Sequence, residues 1–597
     1  MAAMRGADLI AEYLISEKVP YVFGLCGHGI VGLMDALGSR ADRIKMIGVH
    51  HEQVAGYMAD AYYRIAHRPV ATFTSCGPGS VNLVIALACA MMDSSALVAI
   101  TGNVPTTQFN RGPFQETYRH HQADFSSVVR PYVKRSFQVP RPEMLPLVLR
   151  QAFKTAATGR PGPVNVDVPL DVFVEETTAP LPAPDLWWHA IDRRSGPSPE
   201  IARRAFDLLA GAERPAILVG NGAALSEAAP EIRRLAETLG VPVANTPQGA
   251  GIMPADHPLA LGVVGRNGTY PANQATRQAD VLLALGARFD DRVSSGWIPG
   301  YTFTIPPTKL VQVDIDPEEI GRNYPVHLGV TADVKTFVQA VLALAEARGG
   351  AGGREPWLGQ VAAWQRNWVE YNERRYRPDA VPVQPEHVVR TLRKVVPRDG
   401  IIAVDVGVHH NWVVQQWPAY LPQTLLQSWG FAAMGFAVGG VLGAKLAAPD
   451  RCAVAVCGDG GFLMTSHAVA TAVEYGIPAT WVVWNNYGYA SIRDLQRGAF
   501  GKETTTMFTR QQTGEPFSPD YAALARACGA EGIRVTAPGE LGDALAAAVR
   551  SDRPTVVDVV VDPSAGPIAT GTWQLPPLAH PEPNYPALAA GIQKDMT

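Results

Sequence analysis

At 597 residues the chain is too long for a single hydrophobic core, and roughly three or four domains are expected. Hydrophobic residues make up 47% and charged residues only 18%, which describes a compact globular protein; a net charge of −4 gives no electrostatic basis for nucleic-acid or membrane-surface binding. No stretch of about 18 apolar residues is present, no charged segment leads into an apolar one near Met1, and the six cysteines lack paired metal-ligand spacing, so a cytoplasmic protein with buried reduced thiols is expected.

Strands alternate with helical stretches almost throughout, which predicts α/β layers with parallel sheets. The first predicted strand runs into Cys26-Gly27-His28-Gly29, a turn that places His28 at a ligand edge. The next, Met46-Ile47-Gly48-Val49, leads to His50-His51-Glu52, so Glu52 opens a helix with small residues on one face. Alone, such a Glu is a helix N-terminal acid favoured by the dipole. Its context is a third strand, Ala71 to Thr74, entering Ser75-Cys76-Gly77-Pro78-Gly79-Ser80-Val81-Asn82, a glycine-rich turn into a helix. Gly102-Asn103-Val104-Pro105, Phe114-Gln115-Glu116, Arg130 to Lys134 and Gly159 to Pro169 complete this region.

Two segments break the rhythm. Residues 177–200 carry several prolines, and residues 348–385 run from Gly349-Gly350-Ala351-Gly352-Gly353 through an aromatic helical piece, Trp364 to Tyr376, to a proline-containing end. They divide the chain into 1–178, 190–347 and 380–565, each long enough for a six-stranded α/β domain. The remainder, 566–597, is a proline-rich tail that reads as either a lid or an inert wrapping. The middle portion carries Gly220-Asn221-Gly222-Ala223 after a strand, Gly265 to Tyr270, Leu285 to Arg292 and Val313 to Asp316.

The most specific pattern lies in the last portion. Cys452 to Cys457 reads as a buried parallel strand ending in Gly458-Asp459-Gly460-Gly461, followed by a helical stretch from Phe462 to Tyr475 and a second strand ending in Asn485-Asn486. One carboxylate, one amide oxygen and a nearby carbonyl form an oxygen half-shell suited to Mg²⁺, an ion that keeps its other positions for phosphate and water. Gly460 and Gly461 let a diphosphate approach a helix N-terminus.

This strand–helix–strand unit resembles the thiamin-diphosphate binding motif, and the order of segments along the chain resembles the acetolactate synthase branch of the thiamin-diphosphate enzymes. The resemblance implies a catalytic Glu52 at the cofactor's aminopyrimidine and a Met434 wedged beneath the folded cofactor, with Gly407 and Ala433 leaving room around the rings. It implies Mg²⁺ on Asp459, Asn486 and the carbonyl of Gly488, and Gly458, Gly460, Gly461 and Cys76 among the cofactor contacts. It further implies FAD in the middle domain on Arg288, Arg292 and Asp316, a 2-oxo acid substrate, and a homodimer or homotetramer with active sites between subunits.

Substrate determinants match less well. Acetolactate synthases have a Pro-Gly-Gly turn where this chain has Cys26-Gly27-His28-Gly29, and the tryptophan of their Gln-Trp-Gln element is missing from Tyr487 to Gln496. Tyr118 to Ser127, with His120 and His121, reads as an insertion. The His28 turn and Ile492 to Gln496 are similar to thiamin-diphosphate hydrolases of cyclic 1,2-diketones, in which case His28 and Gln115 move protons to and from substrate. Lys134 matches a basic position of the acetolactate group instead. A non-catalytic binding protein on the same fold is the third reading.

Overall fold

The computed structural model describes residues 3–116, 124–349 and 353–568. It contains three six-stranded sheets whose strands pair in parallel, plus one antiparallel ribbon of Met4–Arg5 with Glu176–Thr177. Their central strands, such as 97–103, 281–285 and 480–485, are buried along their length, which is why they read as continuous apolar runs.

The first sheet (residues 21–169) and the third (401–560) share one topology. Numbering the strands of each in chain order, both run 2-1-3-4-6-5, while the middle sheet (215–331) runs 3-2-1-4-5-6. In each sheet the order reverses beside its first strand, and open α/β sheets bind ligands outside the carboxyl ends of strands at such a point. Turns 26–29 and 76–79 flank it in the first sheet, Gly220 to Gly222 and Gly286 in the second, and Gly407 and Gly458-Asp459 in the third.

One apolar core runs through the first and third sheets, joined by the helices Glu52–Ala66 and Phe436–Ala447. Small residues set their spacing: a Cβ on Gly443 would lie 1.9 Å from the carbonyl oxygen of Met58. On another face, a Cβ on Gly56 would lie 2.3 Å from Ala86 of helix Pro78–Met92. The middle sheet has its own core, with an aromatic cluster of Trp357, Trp364 and Trp368 on its outer side.

The expected helical stretch from Phe462 to Tyr475 is two helices, Asp459–Thr465 and Ala468–Tyr475. The aromatic piece around Trp364 belongs to a longer helix, Glu355–Arg375. In the proline-rich connection, Trp188 Nε1 donates to the buried Glu17 Oε1 at 2.9 Å and pins that segment to the first domain. Of the tail, only 566–568 are described: Ile568 is buried, and its carbonyl accepts from Gln415 Nε2 at 2.9 Å. The lid reading of the rest, and His120 and His121, lie outside the described residues.

Candidate active site

Asp459 begins a helix directly after strand Ala453–Gly458, and Asn486 follows strand Thr480–Asn485, its parallel neighbour. Asp459 Oδ2 accepts the backbone N–H groups of Asn486 (3.2 Å) and Gly488 (3.0 Å), and Oδ1 accepts that of Gly460 (2.7 Å). Tyr487 (φ 64°) and Gly488 (φ 152°) turn the chain so that both amides reach one oxygen. Burial nevertheless pushes the Asp459 carboxyl up to about 7, because desolvation outweighs these bonds. Beside it Asn486 Oδ1 is buried and has no hydrogen-bond donor. A buried acceptor without a donor, next to a desolvated carboxylate, is the donor set a hard cation completes.

The surrounding glycines are close-packed. A Cβ on Gly460 would lie 2.3 Å from the Tyr489 ring, one on Gly461 2.2 Å from Asp405 Oδ2, and one on Gly458 3.3 Å from His409 Nδ1. His409 also abuts Gly407, and its buried Nε2 has no partner. Burial pushes its pKa down to about 3, so it stays neutral. The buried Asp405 carboxylate accepts the N–H of Gly435 at 2.9 Å, fixing the turn after half-buried Met434.

In the first domain Glu52 is 6% exposed. Its helix is capped by His51, whose Nδ1 accepts the N–H of Gln53. Asn82 Nδ2 donates to Glu52 Oε2 at 3.0 Å, while Oε1 faces Gly79, where a Cβ would approach to 3.1 Å. Glu52 therefore sits at the glycine turn that spacing pairs it with. The structure also brings His28, Cys76 and Gln115 together: Cys76 Sγ lies 3.6 Å from His28 Nε2 and 3.9 Å from Gln115 Oε1. Exposed Phe114 lies over His28 at 6.2 Å between ring centroids.

The flavin candidates divide. Arg288 lines a cavity of about 780 Å³ with Asn221, Gly222, Gly286 and Asp314, at the reversal point of the middle sheet. Asp316 does not line it but lies 3.7 Å from Nη1 of Arg160, which does. Arg292 is elsewhere, 5.8 Å over the Trp429 ring, at the joint between the middle and third sheets. Lys134, matched by resemblance to a basic site residue, donates instead to the carbonyls of Thr155, Thr158 and Arg160, and burial brings its pKa down to about 8.

Several contributors carry no local sequence signal. Arg160 reaches from the first domain to Glu319 Oε1 (3.1 Å) at the cavity wall. Arg64, buried, pairs with Asp60 and Asp93, and Asp93 accepts the N–H groups of Trp429 (3.0 Å) and Gly430 (2.8 Å). That network clamps the segment leading to Met434 from the first domain.

Three family matches follow one another along the chain. Residues 4–124, 202–341 and 405–559 match the families described as thiamine pyrophosphate enzyme N-terminal TPP binding domain, central domain and C-terminal TPP binding domain. The probable acetolactate synthase large subunit of Methanocaldococcus jannaschii is 34% identical over 571 residues, covering 94% of this chain and 92% of its own. The acetolactate synthase isozyme 3 large subunit of Escherichia coli is 31% identical over 576 residues, covering 94% of this chain and 96% of its own. The chain belongs to the thiamin-diphosphate-dependent enzymes, on the acetolactate synthase branch.

Proposed function

We propose that this protein is a thiamin-diphosphate- and Mg²⁺-dependent carboligase that joins 2-oxo acids, as its relatives' name, acetolactate synthase, describes. The observation that carries the reading is the placement of buried Asp459 beside the donorless Oδ1 of Asn486, at the carboxyl edge of a parallel sheet. Asp459, Asn486 and the Gly488 carbonyl would hold Mg²⁺, with Gly458, Gly460, Gly461 and Gly407 against the cofactor. When bound, thiamin diphosphate supplies the nucleophilic carbon and the electron sink for making and breaking a C–C bond next to a carbonyl.

The chain's own residues supply geometry and proton transfer. Glu52 would exchange a proton with the cofactor's aminopyrimidine through Oε1, the oxygen facing Gly79, while Asn82 fixes Oε2. Met434, on a turn set by Asp405, would support the cofactor. Cys76 would lie against the cofactor, and His28 and Gln115 would meet substrate. By resemblance to the family, in which the first domain of one subunit faces the third domain of another, the active unit is a dimer, or a tetramer built from dimers. The exposure of Val81, Ile85 and Met92 on one helix and of Leu463 and Met464 on another supports a partner subunit at this face.

The 780 Å³ cavity suits a dinucleotide, and the 3-2-1-4-5-6 strand order is that of dinucleotide-binding sheets, so FAD on Arg288 and Asp316 belongs to the proposal. Arg292 then reaches the flavin from the Trp429 side. A yellow protein with a visible flavin spectrum tests this. The six free thiols support a reducing, cytoplasmic setting. Among the described residues no helix is long and apolar enough to cross a membrane.

A second reading, hydrolysis of a cyclic 1,2-diketone, is favoured by one observation: the imidazole, thiol and amide of His28, Cys76 and Gln115 gathered at the opening of the first domain's turn. The test supplies pyruvate and looks for acetolactate, in parallel with cyclohexane-1,2-dione and 6-oxohexanoate. Acetolactate alone supports the carboligase, and 6-oxohexanoate alone replaces it with the hydrolase. Failure to bind thiamin diphosphate and Mg²⁺ overturns both.

A further inference from the structure

Three residues of the third domain close on the turn that presents Glu52. Tyr475 OH accepts the N–H of Gly48 at 2.7 Å, and His50 Nε2 lies 3.2 Å from Glu474 Oε1. The His51 ring lies 5.6 Å from that of His467, tilted by 40°. Glu474 and Tyr475 end helix Ala468–Tyr475, and His467 directly precedes it. The helix before that one begins at Asp459. One short segment therefore links the proposed metal-binding edge to the residue next to Glu52.

His51 is where this contact meets the chemistry. It precedes helix Glu52–Ala66 with extended backbone, and its Nδ1 accepts the N–H of Gln53 at 3.2 Å. Such a cap satisfies one of the free N–H groups of the first helical turn, and that turn frays without it. Glu52 is the first residue of the turn, so the cap fixes the backbone from which its carboxylate reaches Asn82 and Gly79. Unlike Ser or Asn in this place, an imidazole can lose the function: a proton on Nδ1 turns the acceptor into a donor. It also sets a positive charge at a helix N-terminus, where the dipole disfavours it.

The third domain favours the unprotonated cap. Among the described residues, the ionisable groups in contact with this turn are His50 and Glu52 from the first domain and His467, Glu474 and Tyr475 from the third. His467 stays neutral, because burial, with His51 and His50 nearby, pushes its pKa down to about 4. Its ring packs on His51 without offering a negative charge, and Glu474 is taken by His50. We infer that His51 is a positioning residue for Glu52, whose unprotonated Nδ1 sets the first turn of the Glu52 helix, and that His467 keeps it in that form. The inference rests on the proposed role of Glu52, and it makes the reaction depend on pH through the cap.

The test has two readouts on the full-length protein, each followed from about pH 7.5 to about pH 5.5. Amide exchange of segment 50–58, corrected for the intrinsic pH dependence of exchange, reads the cap without cofactor. C2-proton exchange of thiamin diphosphate bound with Mg²⁺ reads its effect on Glu52. At the upper pH His51→Ala should lower protection about fivefold and slow C2 exchange at least as much. His51→Asn, a cap that does not titrate, should rescue both and hold them as pH falls, while the wild type declines towards the alanine variant. His467→Asp sets a counter-charge beside His51 and should move the wild-type decline to higher pH. The same pH dependence in wild type and His51→Asn, or no movement in His467→Asp, would overturn the inference. Lost protection with unchanged C2 exchange would leave a structural cap and overturn the positioning role. A wild type that binds no thiamin diphosphate overturns the proposed function and this role with it, while amide exchange still decides the cap.

Discussion

Asn82 Nδ2 donates to Glu52 Oε2 at 3.0 Å, and this bond ties the helix that opens at Glu52 to the helix that follows the Gly77 turn. It directs one carboxylate oxygen into protein and leaves the other facing the Gly79 turn. Glu52→Gln keeps the size of the side chain and removes its acidity. Turnover should fall by about 10²–10⁴-fold, the range typical of general acid–base catalysis, with thermal stability unchanged. Asn82→Ala should lower turnover by a smaller factor, because it loosens the carboxylate without removing it. A steady-state assay on both variants checks the order.

The orphan Oδ1 of Asn486 yields a prediction in stability rather than rate. Asn486→Leu replaces a buried unpaired acceptor by a near-isosteric apolar group, so the cofactor-free protein should fold as well as wild type. Mg²⁺ with thiamin diphosphate at 100 times its dissociation constant should stabilise the wild type by about 2.7 kcal/mol and leave the variant unmoved. Thermal denaturation with and without the two additions reads the difference.

Arg64 is buried between Asp60 and Asp93, and its Nη1 donates to the carbonyl of Gln427 at 2.6 Å. Arg64→Met removes the cation and strands two buried carboxylates, which should cost about 3–5 kcal/mol. Because Asp93 holds Trp429 and Gly430, the same change should release the segment before Met434 and weaken cofactor binding. Denaturant unfolding and cofactor titration measure the two effects separately.

His410 Nε2 donates to Gln427 Oε1 (2.5 Å) and the ring stacks on Trp429, and burial lowers its pKa from 6.5 to about 4. A depressed folded pKa means that the unfolded chain binds a proton that the folded one does not. The stability it supports is therefore present above pH 6.5 and is lost as pH falls from 6.5 towards 4, at up to about 1.4 kcal/mol per pH unit for one proton. His410→Gln should flatten the stability profile in that window by about one proton. Unchanged slopes would refute the assignment.

How much was legible depended on how local the signal is. Asp459 and Asn486 are read from sequence because a strand, a helix and a strand in succession bring them to one edge, with the intervening glycines nearby. The three-sheet α/β fold is legible for the same reason: buried parallel strands read as apolar runs. Contacts between distant segments leave no such trace. Nothing adjacent to Arg64 announces Asp93, nothing near Arg160 announces Glu319, and Asp405 gives no sign that it holds Gly435. The grouping of His28, Cys76 and Gln115 is likewise invisible as a distance, although each of the three stands out as a residue. Lys134 shows the opposite hazard, a position matched by resemblance whose ammonium is spent on three backbone carbonyls.

The central claim is that Glu52 of one domain and the Asp459–Asn486 pair of another serve one thiamin-diphosphate centre. The direct measurement is the exchange rate of the cofactor's C2 proton with deuterium, followed by NMR after acid quench, on wild type and Glu52→Gln loaded with thiamin diphosphate and Mg²⁺. The account predicts that both proteins bind the cofactor and that exchange on the variant is slower by at least about 10²-fold. Equal exchange rates on the two loaded proteins would contradict it.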